Sequence, residues 1–203
     1  MKKWNYLLLV GLLLIAGTCF LAGAMQQEQQ IFAEKLIRLH VVANSDAAED
    51  QNEKLNVRDA VLAITEPLVQ ESQDPRQALA DALPEIKTAA EACLAECGSN
   101  KTVTVSLGKE RFPTRYYDGF ALPAGVYPSL RVTIGEGKGQ NWWCVAFPSV
   151  CFCATAEEME TAATAAGFTE DEFRVMAEDN GYVLKFKIWE LLGEFKGILF
   201  SGN

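Results

Sequence analysis

Residues 36–61 read LIRLHVVANSDAAEDQNEKLNVRDAV and join a short apolar strand to an amphipathic helix. The strand is predicted over residues 36–43, which are rich in Leu, Ile and Val and end at a polar turn beginning with Asn44. Behind the turn, Val57 and Val61 recur at helical spacing. Because such a helix must bury its apolar face against another layer, the segment predicts a domain in which helices pack on a sheet.

The same strand-to-helix junction concentrates polar residues that are poor core formers. Asp46 and Glu49 have the spacing of a capping box, which would satisfy free main-chain amides at the start of the helix. Capping does not account for the other polar residues, so we predict that the junction recognises a partner protein. The predicted contacts in this segment are His40, Asn44, Asp46, Asp50, Gln51, Lys54 and Arg58.

Proline and glycine positions predict where the following helices begin and end. Pro67 is expected to kink or end the first helix, because it lacks the amide that an internal helical position needs. Asp74 and Pro75 form an N-cap and first helical position. Pro84 is expected to restart the helix, and Gly98 to close it in the left-handed conformation.

Three strands are predicted in the middle of the chain, at residues 102–107, 128–134 and 142–147. The glycine-rich segment 135–141 (GEGKGQN) joins the last two and is expected to form a hairpin loop. It lacks the Ser or Thr that follows Gly-Lys in a phosphate-binding loop. Further helices are predicted at residues 155–166, 169–178 and 183–196. The predicted fold is a single α+β domain, with helices packed on a small mixed or antiparallel sheet.

The glycine-rich segment and the strand after it supply a second set of predicted contacts. Adjacent tryptophans on a strand face opposite sides, so one of the two is available for a covering helix or a partner. The predicted contacts here are Lys138, Asn141, Trp142 and Trp143. We expect the loop and the junction to form one shared surface, because both concentrate polar and glycine residues that a core does not need.

The N-terminal residues have the pattern of an export segment. Two lysines precede an uncharged apolar run that ends in a small-x-small cleavage pattern at Ala24. The run also has the length of a membrane span, so the segment is either a cleaved signal peptide or an anchor formed by residues 4–24. The rest of the chain is expected outside the cytoplasm. The predicted organisation is a signal peptide or anchor at 1–24, a polar linker at 25–35 and an α+β domain at 36–203.

The net charge of −9 argues against nucleic acid and against an anionic membrane surface as partners. Contact with a membrane is expected only through the N-terminal segment. The chain has one histidine, and its six cysteines lack metal-ligand spacing, so no metal and no other cofactor is expected. We expect no small-molecule substrate.

The cysteines divide into two groups with different expected roles. Cys144 and Cys151 flank an apolar strand and a turn, and we favour a disulfide between them, with Cys153 as the competing partner. Cys93 and Cys97 extend an apolar helical stripe and are expected to be buried thiols.

An alternative function is that of an extracytoplasmic hydrolase, in which His40 would activate Ser45 or Cys144 as a nucleophile. Ser45 does not lie in a GxSxG nucleophile elbow. A disulfide at Cys144 would remove the other nucleophile. We therefore predict no catalytic residues and interpret the junction as a binding surface.

Three segments carry a family resemblance across roughly residues 36–153. They read IRLHVVANSDAAEDQNEKLNVRDAV, FPTRYY followed by LPAGVYPSLRV, and IGEGKGQNWWCVAFP. They resemble the stage II sporulation protein R family of endospore-forming bacteria. The resemblance implies a secreted signalling protein that is not itself an enzyme. It also implies export into the space between forespore and mother cell, where the protein activates a membrane-embedded aspartic protease that processes a pro-sigma factor of the mother cell.

Overall fold

The computed structural model describes residues 33–117, 120–148 and 156–169, together with the separate positions 6, 11–13, 16–18, 20, 30 and 31. The strands are β1 (Ile37–Val42), β2 (Val103–Phe112), β3 (Arg115–Tyr117), β4 (Phe120–Leu122), β5 (Gly125–Ile134) and β6 (Asn141–Phe147). The helices are α1 (Ala48–Glu71), α2 (Pro75–Asp81), α3 (Leu83–Glu96) and α4 (Ala156–Ala165). The helices predicted at 169–178 and 183–196 lie outside the described residues, apart from position 169.

Four of the strands form a mixed sheet in the order β2-β5-β1-β6. β1 runs parallel to β5 and antiparallel to β6, and β2 runs antiparallel to β5. β3 and β4 form a separate antiparallel pair. The prediction of helices packed on a small mixed sheet is confirmed.

The loop between β5 and β6 does not form the predicted hairpin. β1 lies between the two strands and pairs with both, so residues 135–140 must cross over the end of β1. The hairpin prediction was wrong because neighbouring strands in the sequence were assumed to be neighbours in the sheet. The sequence signal for positive φ angles was right, since φ is 56° at Gly135 and 62° at Gly137.

Two hydrophobic clusters cover the two faces of the sheet. The larger one joins β1, β5 and β6 to the first three helices through buried residues that include Leu39, Val41, Val57, Val61, Leu79, Ile86, Leu94, Leu130, Val132 and Cys144. The smaller one lies against the other face and contains Leu36, Phe112, Leu122, Tyr127, Val145, Ala163 and Phe168. Because β1 lies between the clusters, all six of its residues are buried.

Helix α1 continues through Pro67 to Glu71, so the predicted stop is wrong, and the predicted kink stays a prediction. The carbonyl that loses its partner belongs to Ala63, and both Ala63 and Pro67 are exposed, so water can replace the missing hydrogen bond. Buried Thr65 and Val69 on the opposite side hold the last turns on the core. Tertiary packing therefore outweighs the local cost of the proline.

The predicted caps have mixed outcomes. Asp74 accepts a hydrogen bond from the Gln77 amide at 3.0 Å, and Pro84 lies in the first turn of α3, as predicted. Gly98 ends α3 with a φ of 76°, also as predicted. The predicted capping box of Asp46 and Glu49 is wrong, because α1 begins after Ala47 and has no side-chain cap. The Asp46 carboxylate instead accepts a hydrogen bond from the Gln140 amide.

The cysteine predictions are only partly covered by the described residues. Cys93 and Cys97 are free, but Cys97 is exposed at the end of α3, so its predicted burial is wrong. Its position just past the helix places it beyond the apolar stripe. Cys151 and Cys153 lie outside the described residues, and the pair between Cys144 and Cys151 stays a prediction.

The N-terminal predictions concern residues that are mostly not described. Within the parts of the chain that the structure covers, no helix has the length and apolarity to cross a membrane. The signal or anchor prediction therefore stays untested. Ala33 is buried, and Glu34 forms ion pairs with Arg76 and Lys109.

The central position of β1 gives a direct stability test. Replacing buried Leu39 with alanine should lower the free energy of unfolding by about 2–5 kcal/mol, because the helices cannot fully collapse onto the vacated space. Replacing the exposed Val126 with alanine should change it by less than about 0.5 kcal/mol. Urea unfolding followed by tryptophan fluorescence measures both, and equal effects would contradict this assignment of the core.

Candidate functional site

The loop of residues 135–140 is hydrogen-bonded to the junction, which comprises residues 43–51. Four loop amides donate to two main-chain and two side-chain oxygens of the junction. The bonds are Gly139 N to Ala43 O (2.9 Å), Lys138 N to Asn44 O (3.0 Å), Glu136 N to Asn44 Oδ1 (3.0 Å) and Gln140 N to Asp46 Oδ1 (2.8 Å). Two segments about ninety residues apart in sequence therefore form one unit.

Close packing at Gly139 reinforces these hydrogen bonds. A Cβ atom at this position would lie 2.2 Å from the Ser45 carbonyl oxygen, a distance that no real Cβ contact tolerates. A Cβ at Gly135 would lie 2.2 Å from Asn44 Oδ1. The loop can approach the junction this closely only because glycine has no side chain.

Asp50 is the centre of the polar network beneath the junction. Its Oδ2 accepts hydrogen bonds from Ser45 Oγ (2.5 Å) and Asn44 Nδ2 (2.8 Å), and its Oδ1 pairs with Lys101 Nζ at 2.9 Å. The hydrogen bonds from Ser45, Lys101 and Asn44 hold the pKa of the Asp50 carboxyl well below its usual value. The same lysine binds both carboxylate oxygens of Glu53, and its contacts with Asp50 and Glu53 raise the pKa of Lys101.

Lys54 connects α1 to the last residue of the loop. Its Nζ donates to Gln51 Oε1 at 2.6 Å and to the Gln140 carbonyl at 3.2 Å. Gln51 in turn donates from Nε2 to the Ser45 carbonyl at 2.8 Å. The Lys54 side chain is buried, and this burial lowers the pKa of its ammonium.

His40 belongs to a different network, on the sheet face away from α1 and α3. Its Nε2 lies 2.8 Å from Asn141 Oδ1, and its Nδ1 lies 3.2 Å from Glu110 Oε2. Glu110 also accepts from Ser129 Oγ (2.7 Å) and Arg131 (2.6 Å). Burial opposes ionisation of Glu110, but the bonds from Ser129, Arg131 and His40 outweigh it, and the pKa of the carboxyl is lowered.

The two tryptophans lie on opposite sides of β6, each beside a basic side chain. Trp143 stacks on His40, with ring centroids 3.8 Å apart and planes 18° from parallel. The Arg115 guanidinium lies 5.6 Å from the centroid of the same tryptophan. On the helix side, the Arg58 guanidinium lies 4.4 Å above the ring of Trp142. Both indoles are half-buried.

Comparison with known proteins matches this part of the chain to one family. The family model described as stage II sporulation protein R matches residues 33–157. The chain belongs to the stage II sporulation protein R family. The stage II sporulation protein R of Bacillus subtilis (strain 168) is 35% identical to it over 150 residues, which cover 72% of this chain and 67% of the relative. No solved structure matches the chain.

For this member of the stage II sporulation protein R family, the structure divides the predicted contact residues by accessibility. Asp46, Lys138 and Asn141 are exposed, and the Lys138 side chain is 75% accessible. Partly buried contacts are Asn44, Gln51, Arg58, Trp142 and Trp143, whereas His40, Asp50 and Lys54 are buried. The predicted adjacency of loop and junction is present, but buried Asp50 and Lys54 organise the unit from beneath, and buried His40 belongs to the other network. Whether any of them contacts a partner stays a prediction.

Sequence reasoning missed the residues that complete the two networks. Lys101, two residues before β2, pairs with Asp50 and Glu53, and Glu110, Ser129 and Arg131 surround His40 from β2 and β5. Glu110 and Arg131 are charged residues on the same side of the sheet as His40. Their charge was the one feature of the sequence that could have indicated partners for the histidine. Using that signal requires the strand order, which the sequence did not provide.

The geometry contradicts both nucleophile pairs of the hydrolase alternative. Ser45 Oγ donates to Asp50, and both ring nitrogens of His40 lie within hydrogen-bond distance of Asn141 and Glu110 instead. Cys144 pairs in register with Leu39 and lies in the helix-side core. Since successive residues of a strand face opposite sides, His40 and Cys144 are on opposite faces of the sheet.

The close contact at Gly139 predicts a large effect of a small substitution. Gly139→Ala should reduce the free energy of unfolding by about 1–3 kcal/mol, because the new Cβ would overlap the Ser45 carbonyl. The matched control is Gly108→Ala in β2, where a Cβ meets nothing within 4 Å. Urea unfolding of both variants is the measurement, and equal stability of the two would contradict close packing of the loop.

The Asp50 network predicts a dependence of stability on acid pH. Because the pKa of Asp50 is lower in the folded protein than its usual value of 3.8, its contribution is fully present above that value and is lost as the pH falls below it. Asp50→Asn should be less stable at neutral pH and lose less stability between neutral pH and about pH 3. Urea midpoints across this range test the slope, and an Asp50→Asn variant with the wild-type slope would contradict this role of Asp50.

Proposed function

We propose that this protein is an exported sporulation signal that activates a membrane-embedded aspartic protease by binding it. Activation would start the processing of a pro-sigma factor in the mother cell. The observation that carries the proposal is membership of the stage II sporulation protein R family across residues 33–157, a range that includes both the junction and the loop.

The N-terminal pattern supports the proposed location. Lys2 and Lys3, the apolar run and the small-residue pattern before Met25 are those of an export segment. We infer that the protein is made in the forespore and delivered to the space between the two membranes, either released or anchored by residues 4–24. In that position it reaches the outer side of a protease embedded in the opposite membrane.

The exposed part of the joined junction and loop is the proposed contact surface. Asp46, Glu49, Lys138 and Asn141 are exposed there, above the buried network of Asp50 and its partners. A partner that binds this surface better in its active arrangement than in its inactive one has its population shifted toward the active state. No group of this chain needs to take part in the chemistry of proteolysis.

The proposal is tested in cells that contain the protease and the precursor but lack their own member of this family. Export of the full-length chain into the intermembrane space should restore shortening of the precursor, measured by immunoblot. Failure to restore it, with the folded chain demonstrated at that location, would count against the proposed function.

Charge reversal on the exposed surface locates the contact. Lys138→Glu and Glu49→Lys should each slow processing roughly tenfold, which corresponds to about 1.4 kcal/mol of lost binding. Both side chains point to solvent, so the fold should be retained, as checked by thermal unfolding. Lys87→Glu makes the same charge change on the exposed side of α3 and should leave processing unchanged. Normal processing by both surface variants would place the contact elsewhere.

A further inference from the structure

Strand β2 is a long and regular edge of the sheet. It is the terminal strand in the order β2-β5-β1-β6, and its ten residues pair with β5 without a break in register. The opposite edge strand, β6, has an irregularity in its pairing with β1. Natural edge strands are usually protected by brevity, bulges, prolines or inward-pointing charges. Between Val103 and Gly108, β2 has none of these.

The main chain of β2 is accessible at the middle of the strand. Gly108 is exposed, and because glycine has no side chain this exposure belongs to the backbone itself. A Cβ built at Gly108 meets no atom within 4 Å, so this face of the sheet is uncovered at Gly108. Thr104 and Ser106, on the same side of the strand, are also exposed. Because the Gly135 amide donates to the Thr102 carbonyl, Thr102 and every second residue after it direct their backbone groups toward β5, and Val103, Val105 and Leu107 present theirs at the open edge.

The other side of β2 combines apolar and basic residues. Val105 and Leu107 are partly buried against the helix-side core, so their outer parts could be covered further. Lys109 and Arg111 follow on the same side and are exposed, although Lys109 also contacts Glu34. The acid between them, Glu110, faces the other side and is bound by Arg131, Ser129 and His40. One end of the edge is thus apolar and the other end is basic.

We propose that β2 accepts an extended segment of the protein partner as an additional strand. The segment would bring apolar residues at alternate positions beside Val105 and Leu107, and acidic residues beside Lys109 and Arg111. Main-chain hydrogen bonds provide affinity in this binding mode, and the alternating side chains provide selectivity. The inference rests on the proposed function for the identity of the partner, the membrane protease, and adds a second contact region to the junction and loop.

Charge complementarity favours a partner segment over a second copy of this chain. On the helix side, β2 carries Val103, Val105, Leu107, Lys109 and Arg111 and no acid. Two copies of the chain could pair through their β2 strands in antiparallel orientation, with the helices of both copies on the same face of the joined sheet. In that dimer neither Lys109 nor Arg111 would have an acidic cross-strand neighbour. An acidic segment of another protein supplies that neighbour.

Site-specific photocrosslinking tests the proposal with the full-length chain. Gly108 is replaced by p-benzoylphenylalanine, and the matched control carries the same residue in place of exposed Lys87 on α3. Both proteins are exported in the cells that contain the protease and precursor. We expect an adduct with the protease from position 108 and none from position 87, and thermal unfolding of both proteins establishes that they are folded.

The alternative outcomes separate the two proposals. Normal precursor processing without a protease adduct from position 108 would overturn strand addition at β2 and leave the proposed function standing. An adduct that contains only two copies of this chain would also overturn it, by showing that the edge mediates self-association. Absence of processing by both the position-108 and the position-87 protein, with no adduct from either and folded protein present, would overturn the proposed function and strand addition together.

A charge reversal provides an independent measurement at the basic end. Arg111→Glu should slow processing roughly tenfold, the effect of about 1.4 kcal/mol of lost binding, whereas Lys87→Glu should not. Processing at the wild-type rate by Arg111→Glu would contradict recognition of an acidic segment at this end of β2.

Discussion

The burial of β1 on both faces is the constraint on which the other parts of the structure depend. Two of its six residues, Arg38 and His40, carry polar groups, and unpaired polar groups are costly away from water. The Arg38 guanidinium donates from Nε to the Cys144 carbonyl at 2.9 Å and lies 4.4 Å above the ring of Phe112. His40 takes its partners from β2 and from the first residue of β6. These requirements link β1 to strands that follow it by more than sixty residues, and they fix which side chains meet on the second face.

Local features of the sequence were sufficient to predict much of this architecture. The apolar run of β1, the helical spacing of Val57 and Val61, and the Asp74 and Gly98 caps each depend on a few neighbouring residues. The strand order could not be obtained in this way. Placing β1 between β5 and β6 requires knowledge of which distant backbones pair, and the glycine-rich loop has the same composition whether it turns a hairpin or crosses a strand. The prediction that the first helix stops at Pro67 was wrong for a related reason. The helix continues because Val69 packs on the core, and this packing is not visible in the local sequence.

The candidate site was predictable as a set of residues but not as a geometry. The motif around Asn44 and the motif around Asn141 were expected to meet, and the loop amides do bind the junction. The sequence did not distinguish residues that face solvent from residues that hold the unit together. Asp50 and Lys54 look like surface residues in a polar segment, yet both are buried with partners. Lys101 could not be assigned to them, because it lies 48 residues beyond Glu53 and the pairing depends on the completed sheet.

The hydrogen bonds and glycine contacts between loop and junction also affect how this region would associate with another molecule. A glycine-rich loop that is free in solution loses conformational entropy when a partner immobilises it, and that loss weakens binding. Here contacts within the chain already order the loop, so its conformational entropy is lost when the protein folds and not when a partner binds. The exposed residues above it form a preorganised surface, from which a partner gains nearly the full interaction energy. Substitutions that loosen the loop would weaken association even when every contacting side chain is unchanged.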